Sequence, residues 1–196
     1  MTGFDRLVAE MAVAPLHDAV PARAGEGVAT LGFALAAAAS WVRSAGLVLV
    51  WDDRWAGEEG VAAPRGLGAF GVDLKTLVGI AAGKSKDALW ATEQALCVPG
   101  AAVVAALADE DINLTASRRL LLQAERSHAH VFLVRACARG QSGQASAAHT
   151  RWRIAAAPSN GAPRKLGPPV FSAELLRHRG GPAGARFILE WCAHAH

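Results

Sequence analysis

Cysteine is scarce in this chain of 196 residues: three are present, Cys97, Cys137 and Cys192, an odd number with no paired spacing. That excludes a disulfide framework and points to a reducing compartment. No apolar run is long enough to span a bilayer; the longest, Val28 to Val42, is alanine-rich and stops at Arg43. The first residues, Met-Thr-Gly-Phe-Asp-Arg-Leu-Val-Ala-Glu, are acidic and amphipathic, unlike a secretory signal. Metal-ligand spacing is missing too. Cys192, His194 and His196 alternate at the chain end, and no second cluster completes four ligands. The other histidines are scattered, with no nucleophile elbow. No internal repeat is visible. These absences predict a cytoplasmic chain with no membrane contact, no metal and no cofactor.

Acid is scarce in the last third. Residues 117–196 carry 12 basic and 3 acidic side chains, net +9, whereas residues 1–116 carry 8 basic and 14 acidic, net −6. Eleven of those 12 basic residues are arginine, the side chain suited to forked phosphate contacts. Such a face is either solvated or built for nucleic acid or an acidic partner.

What is present is apolar: hydrophobic residues make up 52% of the chain, which argues against disorder. The length fits one domain that buries about 70% of its unfolded surface. Phe4 to Val13 reads as an amphipathic helix ended by Pro15, with a linker to residue 20. The domain proper is placed at residues 21–196, and its first helix at about Val28 to Arg43. Strands are expected at Gly46–Trp51, Leu77–Ala81, Ala101–Leu107 and His130–Ala136. Helices are expected near Pro64–Phe70 and over Ser85–Leu96 and Thr115–Ser127. Thr150–Ala156, Phe171–Arg177 and Arg186–Trp191 then follow as strands without helices between them. Alternation followed by a run of strands implies an α/β fold, a mostly parallel sheet flanked by helices, with antiparallel strands added at the C-terminal edge. Trp41, Trp90, Trp152 and Trp191 are expected in the core; Trp51 and Trp55 are compatible with either place.

The segment 21–41 has the layout of a phosphate loop running into a helix, without its chemistry. A working loop reads G-x-x-x-x-G-K-[ST], with backbone N–H groups around the phosphates, Lys on the β/γ-phosphates and the hydroxyl on Mg²⁺. Here Gly25 and Gly27 remain, but the first glycine position is Ala22, the lysine is Val28 and the hydroxyl is Ala29. A charge-assisted contact is worth about 1.5–3 kcal/mol, so the missing lysine alone weakens phosphate binding roughly 10- to 100-fold. Gly79-Ile-Ala-Ala-Gly-Lys-Ser85 has three residues between its glycines instead of four and reads as an ordinary turn, with Ser85 as helix N-cap. The Ala101–Leu107 strand carries no acid at its tip to hold Mg²⁺. Asp52 and Asp53 read as loop-capping residues paired with arginines. Asp109-Glu110-Asp111 reads as a loop.

Several ordered segments are similar to the ImuA family, RecA-like but catalytically degenerate. They are Leu16-His17-Asp18-Ala-Val20, Gly27 to Ala38, Asp87 to Leu96, Leu114 to Leu120, His149 to Ile154, Glu174 to Gly181 and Leu189-Glu-Trp191. The resemblance implies a RecA-like core and a non-catalytic role in SOS-induced mutagenesis. It implies action with ImuB, an inactive Y-family-like polymerase homologue, and with an error-prone C-family DNA polymerase. RecA and single-stranded DNA are further candidate partners. RecA's catalytic Glu falls here on Asp53 or Arg54, so that function does not carry over. Its second DNA-binding loop corresponds to Ala138–Ala148. The residues expected to contact DNA or a partner are Arg118, Arg119, Arg139, Arg151 and Arg153, with Arg177 and Arg179 behind them. A SulA-like inhibitor of cell division, which would bind the tubulin-like division protein, is the alternative.

Overall fold

The structure, a computed structural model, describes residues 3–42, 45–107, 112–136, 145–159 and 167–191. Among these residues eight strands make one sheet in the order β3-β2-β4-β5-β1-β6-β7-β8. The strands are β1 (Leu16–Pro21), β2 (Leu47–Asp52), β3 (Leu77–Ala82), β4 (Ala102–Leu107), β5 (His130–Arg135), β6 (Thr150–Ala157), β7 (Val170–His178) and β8 (Arg186–Glu190). All pairings among β1 to β6 are parallel, and the β6–β7 and β7–β8 pairings are antiparallel. The α/β class and the antiparallel edge are therefore as the alternation implies. One detail differs: β6 runs parallel to β1, so the antiparallel part begins at β7.

One face of the sheet is packed by α1 (Gly3–Met11), α2 (Gly27–Trp41) and α4 (Pro64–Ala69), the other by α5 (Ser85–Ala95) and α6 (Leu114–Ser127). Helix α2 is apolar nearly all round because it lies over the middle of the sheet. Phe33, Ala34, Ala36, Ala37 and Ala38 have no exposed surface, and small residues let the helix approach the strands closely. The ring of Phe33 meets those of Phe4, Phe132, Trp152 and Phe171, so one aromatic cluster joins α1, α2 and the strands β5, β6 and β7.

The main correction concerns residues 16–20, expected as a linker. They form most of β1, which is buried throughout and lies between β5 and β6. Pro15 and Pro21 bracket the run and give it the look of a connection. Neither costs a sheet bond, since a proline at a strand end needs no N–H there. A short helix, α3 (Asp53–Glu59), also occupies what reads as a Gly/Pro-rich loop. Trp90 is 64% exposed rather than in the core, while Trp41, Trp55, Trp152 and Trp191 are buried. Ser85 is the first residue of α5, and Lys84 takes the N-cap place.

Candidate functional site

The strand β1 delivers the chain into the loop 22–26 and then into α2, the geometry of a phosphate-binding turn. Gly25 has φ +82°, a backbone state that favours glycine. Glu26 takes the N-cap place of α2, with its backbone carbonyl accepting from the Thr30 hydroxyl at 2.9 Å. Val28, at the lysine position, is 58% exposed, and Ala29, at the hydroxyl position, is half-buried. Neither supplies a cation or a metal ligand.

Acid packs against the first turn of α2. A Cβ built on Gly27 would lie 2.4–2.7 Å from the carboxylate atoms of Glu59, which α3 swings over the first turn of α2. Glu26 Oε2 is buried without a hydrogen-bond partner, and Glu26 Oε1 lies 3.9 Å from Arg23. A carboxylate at a helix N-terminus is favourable through the macrodipole, and the same charge repels a phosphate. Behind Glu59 lies a hollow of about 170 Å³ lined by Val28, Leu31, Trp55 and Phe70, apolar where a nucleotide site carries polar groups.

The absence of Cβ at Gly27 is what admits Glu59. In the wild-type background, Gly27→Ala is expected to be neutral or destabilising because it displaces that side chain. With Glu59→Ala present, the same change is expected to stabilise by about 0.5–1 kcal/mol through helix propensity. Urea unfolding of the four proteins reads that coupling.

The second glycine-rich motif is not a loop at its start. Gly79 lies within β3 under the ring of Trp51, 3.2 Å from where its Cβ would be, so only Gly83-Lys84 form the turn. The Ser85 hydroxyl donates to Asp52 Oδ2, and Asp52 Oδ1 accepts from the Trp55 backbone N–H at 2.6 Å, capping α3. Asp52 is thus a capping residue, as expected, and Arg54 pairs with Glu58 on the same short helix. Asp109 to Asp111, Cys137, Cys192, His194 and His196 lie outside the described residues. Among the described residues no group of three or more His, Cys, Asp or Glu is placed to hold a metal.

The arginines separate. Arg118 and Arg119 are exposed on α6, and Arg119 reaches Glu93 of α5 at 2.5 Å. Arg153 pairs with Glu174 at 3.0 Å. Glu174 also meets Arg186 at 3.1 Å, and these arginines hold its carboxyl below the usual range. Arg177 and Arg179 are exposed, Arg177 donating to the Ser146 carbonyl at 2.6 Å. Arg139 lies outside the described residues. Arg151 is a correction: expected as a surface contact, it is a core residue. It donates to Asp18 Oδ2 through Nη2 at 2.8 Å and Nε at 3.2 Å.

Asp18 and His17 were invisible as site residues while their strand read as a linker. Asp18 has no exposed surface and sits between Arg151 of β6 and Arg135 of β5, whose Nε is 3.0 Å from Oδ1. Ser146 donates to the same carboxylate at 3.1 Å. Burial lowers the Arg135 pKa, against the pull of Asp18. On the opposite face His17 is wholly buried, Nε2–H donating to the Ala14 carbonyl at 2.9 Å. Trp152 Nε1–H donates to Thr150 Oγ1 at 2.7 Å, so the Thr150 proton is free to go to His17 Nδ1, also 2.7 Å away. That relay fixes a neutral imidazole, and burial pushes its pKa down to about 3.

A mostly parallel α/β sheet whose first strand–loop–helix turn carries valine and alanine at the lysine and hydroxyl positions is the class that fold and site define. No family model matches the chain. Over 128 residues it is 36% identical to protein ImuA of Caulobacter vibrioides strain NA1000 / CB15N, and equally to protein ImuA of strain ATCC 19089 / CIP 103742 / CB 15. Each alignment covers 61% of this chain and 52% of the relative, so the chain spans about half the length of the curated relatives it matches. The resemblance to the ImuA family read from the sequence is thereby supported. The crystal structure of SulA from Pseudomonas aeruginosa is similar with a TM-score of 0.45 and 15% identity, over 61% of this chain and 98% of that one. Among the described residues no helix is long and apolar enough to cross a membrane.

Proposed function

We propose that this chain is an ImuA-type, non-catalytic accessory protein of error-prone translesion DNA synthesis in the SOS mutasome. Its RecA-like body serves as an adhesion surface. It bridges an ImuB-like polymerase homologue and an error-prone C-family DNA polymerase, with RecA and single-stranded DNA as further contacts. The observation that carries the reading is the closed loop. Val28 and Ala29 stand where the motif needs ammonium and metal ligand, and the Glu59 carboxylate packs against Gly27. The similarity to protein ImuA supports the mutagenesis setting. For DNA, the exposed Arg118, Arg119, Arg177 and Arg179 are the proposed phosphate contacts, with Arg139 beside them in sequence terms. Arg153 belongs to a cross-strand ion pair.

The test is co-expression with the ImuB-like polymerase homologue from the same genome. The wild-type chain is expected to co-purify with it as a stable complex after size exclusion. A chain that elutes alone, with the homologue also alone, would remove the adhesion role.

A further inference from the structure

The sheet ends at β8, which has β7 on one side and, among the described residues, no strand on the other. Its two ends bond toward β7. The Leu175 N–H donates to the Ala185 carbonyl at 2.8 Å, and the Trp191 N–H to the Pro169 carbonyl at 2.9 Å. Bonding direction alternates along an antiparallel strand, so Phe187 and Leu189 also turn their backbone groups to β7. Those of Arg186, Ile188 and Glu190 point the other way, out of the sheet edge.

The side chains of these three residues share the face turned away from α1 and are exposed, whereas Phe187 and Leu189 face the core. Along that face the strand reads cation, isoleucine, anion, a pattern complementary to its own reverse. Laid antiparallel against a second β8 about a two-fold axis through Ile188, Arg186 stands opposite Glu190 of the other copy and Ile188 opposite Ile188. Each opposed pair then exchanges both of its N–H···O bonds, at the strand spacing of about 4.8 Å. A slip of two residues sets Ile188 against a charge, and a parallel pairing in step sets Arg186 against Arg186. Arg186 also reaches Glu174 at 3.1 Å, and Glu190 is likewise engaged within its own chain. The charges therefore select the register, while the backbone bonds and the apolar contact of Ile188, 72% exposed in the single chain, hold the pair together. Beside this edge Arg153 and Arg186 are balanced by Glu174 and Glu190, which suits a copy of the same chain and favours neither an acidic nor a basic partner.

We propose that β8 is a self-association edge: two copies of this chain join antiparallel through Arg186–Glu190, centred on Ile188, and their sheets become continuous. The two-fold contact uses up the edge on both copies, so it gives a closed dimer and not a fibre. The inference goes beyond the adhesion reading, and neither outcome of the co-expression test bears on it.

Sedimentation velocity of the full chain tests it. A contact of five residues per copy is small, so association is expected within a scan from about 5 to about 200 µM. Ile188→Glu and Ile188→Lys each set like charges opposite one another across the axis and are expected to weaken the dimer roughly tenfold or more. Both changes are at an exposed position and are expected to keep the wild-type unfolding midpoint at low concentration. Mixed one to one, the two variants set carboxylate opposite ammonium and are expected to associate more tightly than either alone. Hydrogen exchange gives the backbone readout. The amides of Arg186 and Ile188 are expected to gain protection as the concentration rises, while that of Leu189 stays protected throughout. A wild-type chain that remains monomeric over the whole scan would overturn the proposal. So would a dimer that Ile188→Glu leaves within twofold of wild type, a mixture no tighter than its components, or exchange at Arg186 and Ile188 that ignores concentration.

Discussion

Asp18→Asn is expected to destabilise the chain by about 3–5 kcal/mol, the cost of removing one partner from a buried ion cluster. Asp18 lies between two guanidinium groups that are each more than nine-tenths shielded, Arg135 on β5 and Arg151 on β6. An amide of the same shape leaves both cations in the sheet interior with no anion. The converse change is milder. Arg135→Met leaves a one-to-one Arg151–Asp18 pair and removes the surplus charge, giving up the Arg135 bond to the Ile112 carbonyl at 3.2 Å. It is therefore expected to cost clearly less than Asp18→Asn. Urea denaturation of the two variants checks the order, and equal losses would mean that the carboxylate is not what neutralises this site.

Acid is expected to unfold the protein early because of His17. Its folded pKa, about 3, lies below the unfolded value of 6.5. The unfolded chain therefore binds a proton that the native state refuses. The stability from keeping the imidazole neutral is fully present above pH 6.5 and is lost as the pH falls toward 3. The slope is about 1.4 kcal/mol per pH unit, so roughly 2–3 kcal/mol disappears between pH 6.5 and 4.5. Burial also lowers the His149 pKa, with His178 and Arg179 adding to it, which acts in the same direction. Glu174, with its depressed pKa, contributes only at more acid pH, where it protonates. Unfolding free energies measured from pH 7.5 to 4.5 on wild type and His17→Gln are expected to differ in slope by close to one proton. Parallel slopes would contradict the neutral relay through Thr150.

The strands β2, β4 and β5 were legible because they are nearly unbroken apolar runs, and they fall within a residue or two of where the pattern puts them. The strand β1 was hidden. It carries His17 and Asp18 where a buried strand should be apolar, and it is bracketed by Pro15 and Pro21. Those polar residues are tolerated only because β5 and β6, more than 100 residues away in sequence, supply their partners. No local pattern contains that information. The same holds for Arg151, which composition groups with surface arginines and pairing places in the core. Trp90 was misplaced for a related reason. Helical spacing puts it in line with Leu96, yet α5 turns Ala88, Ala91 and Ala95 to the sheet and leaves Trp90 outside. At the loop, Val28 and Ala29 are read from the sequence alone, whereas the Glu59 carboxylate that packs against Gly27 comes from α3, a helix not visible in the Gly/Pro-rich run.

The closed loop is tested most directly by incubating the purified full chain with radiolabelled ATP and Mg²⁺, with and without EDTA, alongside calorimetric titration of ATP. No turnover above the buffer rate and no heat of binding are expected. EDTA-sensitive hydrolysis or tight binding that survives in Lys84→Ala would point to a working site at the α2 turn and contradict the account.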